Sequence, residues 1–322
     1  MCCVRSVYVF TRCFERFMRP SRILGSYSIM MSLGLGLGLV TGGFPWYTKE
    51  VSMASLAFLM TLSLSTVGLS EAKSKDHFSH AAWSLVLNYG FLTALILAFA
   101  PFFSKDLGRG WILMAAAPSA ISIVPFSSVL GGQTTKALFS TAANYLAALV
   151  LMPLLTLLLI GSAVSVTSLV YSLIILIVLP MVVSRGVRKL RVEKSVNTAL
   201  TNISFALLIF AVAGSNRDAF LEEPMLVLGI SALCVVRTFG SGLLTEFSLR
   251  KLSVPVADRA PYVLFASYKN LGLTATLAIA LFEPIVAVPA TICIVFEVVW
   301  VISLIRWYPR VDRETVSAQT PT

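Results

Sequence analysis

Lys269 and Asn270 interrupt an otherwise apolar stretch, 260–282, near its middle, in the run Ser-Tyr-Lys-Asn-Leu-Gly. A lysine that merely snorkels to a membrane surface lies near the end of a span. One at mid-depth needs a partner or water and is a site hypothesis by default. The chemistry open to an ammonium there is anion binding or charge compensation. A second stretch, 110–131, is free of charge and long enough to span a bilayer. It carries Pro118 and Pro125 together with Ser119, Ser122, Ser127 and Ser128. Proline removes a backbone donor and breaks the helical ladder. Lipid supplies no substitute, so broken backbone is tolerated only against protein or a wet cavity. The serine hydroxyls either satisfy the freed backbone groups or line a polar cavity.

Arg237 and Glu297 are two further charges inside apolar stretches. Each needs a partner or water, and the economical expectation is that they face one another. The pair is either structural or part of gating or proton transfer. Other chemistries find little support. His77 and His80, the two histidines of the chain, form an HxxH beside Asp76 with no cysteine cluster near them. They read as a solvated loop rather than a metal site. The five cysteines show no CxxC spacing, so neither a zinc site nor a disulfide framework is expected. Gly34, Gly36, Gly38, Gly42 and Gly43 echo a dinucleotide loop but lack the strand before it and the acidic residue after it. Gly38 and Gly42 instead form a GxxxG at which helix backbones approach. An intramembrane hydrolase would need paired aspartates, HExxH, or serine with histidine at depth. The spans offer none of these, and no enzyme activity is expected.

The elements that position these residues follow from composition. The 322-residue chain is 57% hydrophobic and 12% charged. A soluble domain could not cover that much apolar surface with so few charges. A span takes about 20 apolar residues. Charges divide the sequence into candidate spans near 24–42, 50–70, 81–103, 110–131, 137–160, 165–184, 195–214, 224–245, 260–282 and 285–305. Gly161 and Ser162 mark the turn inside the charge-free run 137–184. Residues 1–22 form a basic arm without the apolar centre of a signal peptide, and 309–322 form a polar tail. With the N-terminus inside, nineteen Lys and Arg lie in inner segments. Four, Lys49, Lys105, Arg109 and Arg217, lie in outer ones. The net charge of +10 is thus topogenic, with both termini cytoplasmic in a multi-pass cell-membrane protein, and no nucleic-acid partner is expected. The predicted fold is an all-α polytopic membrane protein of ten helices. These form two inverted five-helix repeats, about 24–160 and 165–305, within a transporter domain spanning 23–308. The broken fourth and ninth helices stand at matching places and cross, as in secondary transporters with a midplane site.

At these residues the chain resembles the bile acid:sodium symporter family. Three stretches carry the resemblance. The first is Ala-Ala-Pro-Ser-Ala-Ile-Ser-Ile-Val-Pro at 116–125 with Leu-Gly-Gly-Gln at 130–133, running on to 141–155. The second is Tyr-Lys-Asn-Leu-Gly-Leu-Thr-Ala-Thr-Leu-Ala at 268–278. The third is Leu-Phe-Glu-Pro-Ile-Val-Ala-Val-Pro-Ala-Thr-Ile at 281–292. The match runs over about 24–308. The resemblance implies a panel of spans 1, 2, 6 and 7 and a core of the other six. It also implies an organic anion between panel and core, and two sodium ions behind the crossing. Departures are specific. An acidic sodium ligand becomes Phe265, a Gln becomes Lys269, a Ser-Asn pair becomes Ile123 and Val124, and a serine becomes Ala137. Asn88, at a position of a sodium-site Gln, Thr141 and Asn270 remain.

The expected function is secondary transport of a small organic anion by alternating access. Lys269, Asn270, Asn88, Thr141, Ser119, Ser122, Ser127 and Ser267 are the candidate substrate or ion site, and Arg237 with Glu297 a charge pair. Lys269 stands where a cation would bind, so sodium is not the expected coupling ion, and a proton or no ion takes its place. No other cofactor is expected. The alternatives are a cation/proton antiporter of related fold, which would need a titrating acid at the crossing, and a non-transporting membrane receptor.

Overall fold

The computed structural model describes residues 20–66, 75–161 and 164–308. The basic arm, apart from its last residues, and the polar tail lie outside them. The described residues are helical, with no strand among them. We number the principal helices α1 (Tyr27–Thr41), α2 (Thr48–Ser65), α3 (Asp76–Phe102), α4 (Lys105–Ala116), α5 (Ile123–Val129) and α6 (Thr134–Ile160). Then follow α7 (Thr167–Lys189), α8 (Lys194–Ser215), α9 (Pro224–Lys251), α10 (Val256–Phe265), α11 (Leu271–Leu281) and α12 (Pro284–Trp307). Six of them, α3, α6, α7, α8, α9 and α12, are long and apolar enough to cross a membrane.

The helices fall into two compact units. The first comprises residues up to Thr66 and Ile175–Arg217, and so holds α1, α2, the end of α7 and α8. The glycine run of α1 explains how α1 meets α8. A methyl at Gly34 would collide with the Ala206 carbonyl, and one at Gly38 with the Phe210 carbonyl. Gly36 faces open space. The close face is therefore Gly34 and Gly38. Gly42, expected to share it, instead ends the helix at φ 83°, a conformation that favours glycine. Asn202 on α8 caps the chain before α1 by donating to the Leu24 carbonyl at 2.8 Å.

The second unit, Val67–Ile174 and Asp218–Thr322, holds the other helices and every candidate site residue. Two features of its backbone matter. Helices α3 and α9 each contain a π-turn, Val86–Leu92 and Val236–Gly240. Such turns loosen the ladder and concentrate at functional places. In addition, α4 stops at Ala116 and the chain resumes as α5 at Ile123, while α10 stops at Phe265 and resumes as α11 at Leu271. Pro118 lies in the first gap. Pro125 lies in the first turn of α5, where a missing donor costs nothing.

Two sequence expectations are corrected. The third span begins earlier than 81, so His77 and His80 lie on helix α3 rather than in a solvated loop, and His80 is only 2% exposed. The early part of α3 carries Asp76 and both histidines, whose polarity hid it from an apolar count. Cys234 of α9 and Cys293 of α12 are joined as a disulfide, with Cα atoms 5.3 Å apart. They are 59 positions apart in sequence, so no spacing rule could have paired them.

Candidate functional site

The two gaps meet. The Asn270 main-chain N–H, at the start of α11, donates to the Pro118 carbonyl at 2.7 Å. Pro118 itself has no N–H to offer, but its carbonyl answers one of the orphan donors at a helix start. Asn270 also caps α11, its Oδ1 accepting from the Leu273 N–H at 2.9 Å. Its Nδ2 donates to the Tyr145 hydroxyl of α6 at 2.6 Å.

Lys269 ties the gaps together from the side. The residue is fully buried. Its Nζ, with at most three N–H bonds to share, lies within hydrogen-bond reach of four acceptors: Asn88 Oδ1 and Thr93 Oγ1, both at 3.0 Å, and the carbonyls of Ala115 and Ala117, both at 2.9 Å. The Tyr89 ring lies below, its centre 4.6 Å from Nζ, and such a face attracts a cation. Every one of these partners can accept a hydrogen bond, and the two carbonyls can do nothing else. The Ala115 and Ala117 carbonyls belong to the open C-terminal end of α4, the negative pole of its dipole. The surroundings are thus a shell of oxygens and one aromatic face, closed around the Lys269 side-chain nitrogen.

Asn88 serves both gaps through the π-turn of α3. While its Oδ1 accepts from Lys269, its Nδ2 donates to the carbonyls of Phe265 (3.1 Å) and Tyr268 (3.0 Å). These are carbonyls released where α10 ends. Thr93 Oγ1 lies within reach of the Asn88 carbonyl (3.1 Å) and the Ala115 carbonyl (2.8 Å).

Helix α12 braces the second gap from behind. Glu297 Oε1 accepts from the Lys269 main-chain N–H at 3.1 Å and from Arg237 Nη1 at 2.6 Å. The Tyr268 hydroxyl donates to the Glu297 carbonyl, and Trp300 Nε1 donates to Ser267 Oγ at 3.1 Å. Arg237 is fully buried in the π-turn of α9, and its Nε and Nη2 have no hydrogen-bond partner. Glu297 thus brings a carboxylate to the second gap, from α12 rather than from either broken helix.

Lys269, Asn270 and Asn88 are therefore brought together, as are Arg237 and Glu297. Ser267 joins them through Trp300, with its own hydroxyl donated to the Val263 carbonyl at 2.6 Å. Thr141 turns back on its own helix, donating to the Ala137 carbonyl at 2.8 Å. Ser119, in the first gap, and Ser127 are fully buried with hydroxyls lacking a partner, and Ser122 is half-buried. Sequence reasoning missed Thr93, Tyr89, Tyr145 and Trp300. Each is an ordinary residue of an apolar helix, and only the fold aims it at the gaps. Among the described residues no group of three or more His, Cys, Asp or Glu could hold a metal ion.

A family model described as the SBF-like CPA transporter family matches residues 41–304. The chain belongs to the SBF-like CPA transporter family. That match covers both gaps, Asn88, Lys269 and Glu297, and agrees with the symporter resemblance of the three sequence motifs. A curated relative from Bacillus subtilis (strain 168), named as an uncharacterized sodium-dependent transporter, YocS, is 27% identical over 209 residues. The aligned part covers 62% of this chain and 64% of the relative. The protein is thus a multi-pass membrane protein of a transporter family.

Proposed function

We propose that this SBF-like protein is a secondary transporter of a small organic anion, working by alternating access without a requirement for sodium. The observation that carries the reading is the Lys269 ammonium in its shell of Asn88, Thr93, Ala115 and Ala117 oxygens. A free cation there would hold the two gaps together only when bound. A tethered one holds them permanently. It also places fixed positive charge at the crossing, which favours an anionic substrate. Asn270, Thr141, Ser119, Ser122, Ser127 and Ser267 complete the proposed site. The partnerless hydroxyls of Ser119 and Ser127 are the donors best suited to a carboxylate or sulfonate entering the first gap.

The architecture proposed is ten spans in two inverted repeats, with both termini cytoplasmic in the cell membrane. Paired gaps, and π-turns in α3 and α9, each five predicted spans apart, support it, while α7 carries a third π-turn, Ile174–Val178, outside that pairing. One observation favours a second reading. Glu297 lies at the crossing, where a cation/proton antiporter would keep its titrating acid, although here it is bound to Arg237.

The test is uptake into proteoliposomes of a panel of small radiolabelled carboxylates and sulfonates, with sodium, pH and potential varied separately. Uptake of at least one anion that persists without sodium supports the reading. Sodium or potassium flux exchanged for protons, with no anion moved, supports the antiporter instead.

A further inference from the structure

His80 has no task in the reading above, yet it is a buried polar side chain. It is 2% exposed, with its ring stacked on Tyr262 of α10 at 4.1 Å between centres. Nδ1 lies 2.8 Å from Ser140 Oγ on α6. Nε2 is buried with no partner. An imidazolium has two N–H donors to place. Nδ1 has a partner here while Nε2 has none within hydrogen-bond distance, although the Asp258 backbone lies near the ring, so the closed site suits the neutral ring.

The charged and titratable groups around His80 come from three helices. Asp76 and His77 lie on α3, Lys136 on α6, and Asp258 and Tyr262 on α10. Lys136 Nζ bridges Asp76 Oδ2 at 2.6 Å and Asp258 Oδ1 at 2.7 Å, and so pins the ends of all three helices. Two carboxylates against one ammonium leave one negative charge in excess, which a single proton would cancel. The Asp76 side chain is 65% exposed, so this end of the cluster meets water. From His80 a file of polar groups leads inward. Asn144 Nδ2 donates to the Ser140 carbonyl at 2.9 Å and to Ser84 Oγ at 3.0 Å. The Tyr89 hydroxyl reaches the Asn144 carbonyl at 3.4 Å, and the Tyr89 ring faces Lys269. Asn144 Oδ1, along this file, is buried without a partner.

We propose that His80 is the proton-binding site of this transporter, loaded from the aqueous end of the bundle when the Lys136 bridge between Asp76 and Asp258 opens. The proton comes from water: an O–H bond of hydronium breaks, an N–H bond forms at Nε2, and the ring gains one positive charge. Lys269, surrounded by acceptors, stays a fixed cation, and the mobile charge is carried at His80. The proposal names the coupling ion of the carrier described above and rests on that reading, but its test needs no substrate.

In the opened end Nε2 meets water, and an ordinary imidazole titrates near pH 6.5. One linked proton then raises the opening constant by up to about tenfold per pH unit below that value. Hydrogen–deuterium exchange of the protein in lipid nanodiscs, from pH 8 to 5 and corrected for the intrinsic rate, reads this opening at 134–141 and 256–262. In the wild type, exchange there should be level above about pH 6.5 and approach a tenfold rise per unit below it. His77→Gln, which leaves His80 as the sole histidine, should keep the profile. His80→Gln should flatten it, as should His80→Phe, which retains a ring against Tyr262. A level profile in the wild type, loss of the slope in His77→Gln, or a slope that survives in a folded His80 variant would overturn the proposal. Should both His80 variants fail to fold, the His77→Gln profile decides. A level profile would leave the carrier reading standing, since anion uptake judges that separately.

Discussion

Lys269 Nζ stands 3.0 Å from Asn88 Oδ1, joining residues 181 positions apart in the chain. The same Asn88 holds the carbonyls at the end of α10 with its amide nitrogen, and the same Lys269 holds the carbonyls at the end of α4. Between them these two side chains satisfy much of the backbone that the two broken helices leave open. A gap in a membrane helix is tolerated when its freed groups find partners in protein, and here the partners are supplied reciprocally.

Replacing Lys269 with methionine keeps the apolar stem and removes the ammonium. Asn88 Oδ1 and the Ala117 carbonyl lose this donor, while the Ala115 carbonyl keeps Thr93 Oγ1 within reach. An unsatisfied buried polar group costs about 1–3 kcal/mol, so the variant should unfold at clearly lower temperature in detergent than the wild type. Equal thermal stability would mean that the shell does not depend on its cation.

Arg237 and Glu297 should be strongly coupled. Removing one partner of a buried pair costs roughly 3–5 kcal/mol. Arg237→Met should therefore destabilise the wild-type background more than it destabilises Glu297→Gln, which keeps an acceptor for the Lys269 N–H. A double-mutant cycle on thermal unfolding should give a coupling of about 1 kcal/mol or more. Simple additivity of the two changes would remove the pair from the account.

Much of this arrangement was legible in the sequence, for identifiable reasons. Pro118 and the polar run through Lys269 marked the gaps, because proline and charge conflict with an apolar span whatever surrounds them. Arg237 and Glu297 were visible for the same reason. Thr93, Tyr145 and Trp300 were not, because their types are at home in any membrane helix and only the packing turns them toward the gaps. His80 was misread because the charges of the early part of α3 interrupt its apolar run. The Lys269 shell was half legible. A lost cation could be inferred from Phe265 and Ala137, but two of the four acceptors are main-chain carbonyls, which sequence does not display.

The glycines of α1 offer a contrast within one helix. Gly34→Leu or Gly38→Leu must displace the backbone of α8 at Ala206 or Phe210, an overpacking that costs about 1–3 kcal/mol or more. Gly36→Ala meets nothing within 4 Å and should be neutral or slightly stabilising. Expression yield and thermal unfolding of the three variants would separate them. Similar losses at all three positions would show that α1 does not rest on α8 through this face.

The proposed topology follows from the distribution of Lys and Arg. Reporter fusions after Lys194 and after Glu283 should report cytoplasmic and external locations respectively. An external signal at Lys194 would break the two-repeat arrangement at its junction.

The sodium dependence of transport tests the central claim most directly. Wild-type protein in proteoliposomes should take up its anion at a rate that does not change as external sodium replaces choline, at fixed pH and potential, because the Lys269 ammonium already occupies the shell. Uptake that rises steeply with external sodium under those conditions would contradict this, and would assign the coupling ion to oxygens other than those that hold Lys269.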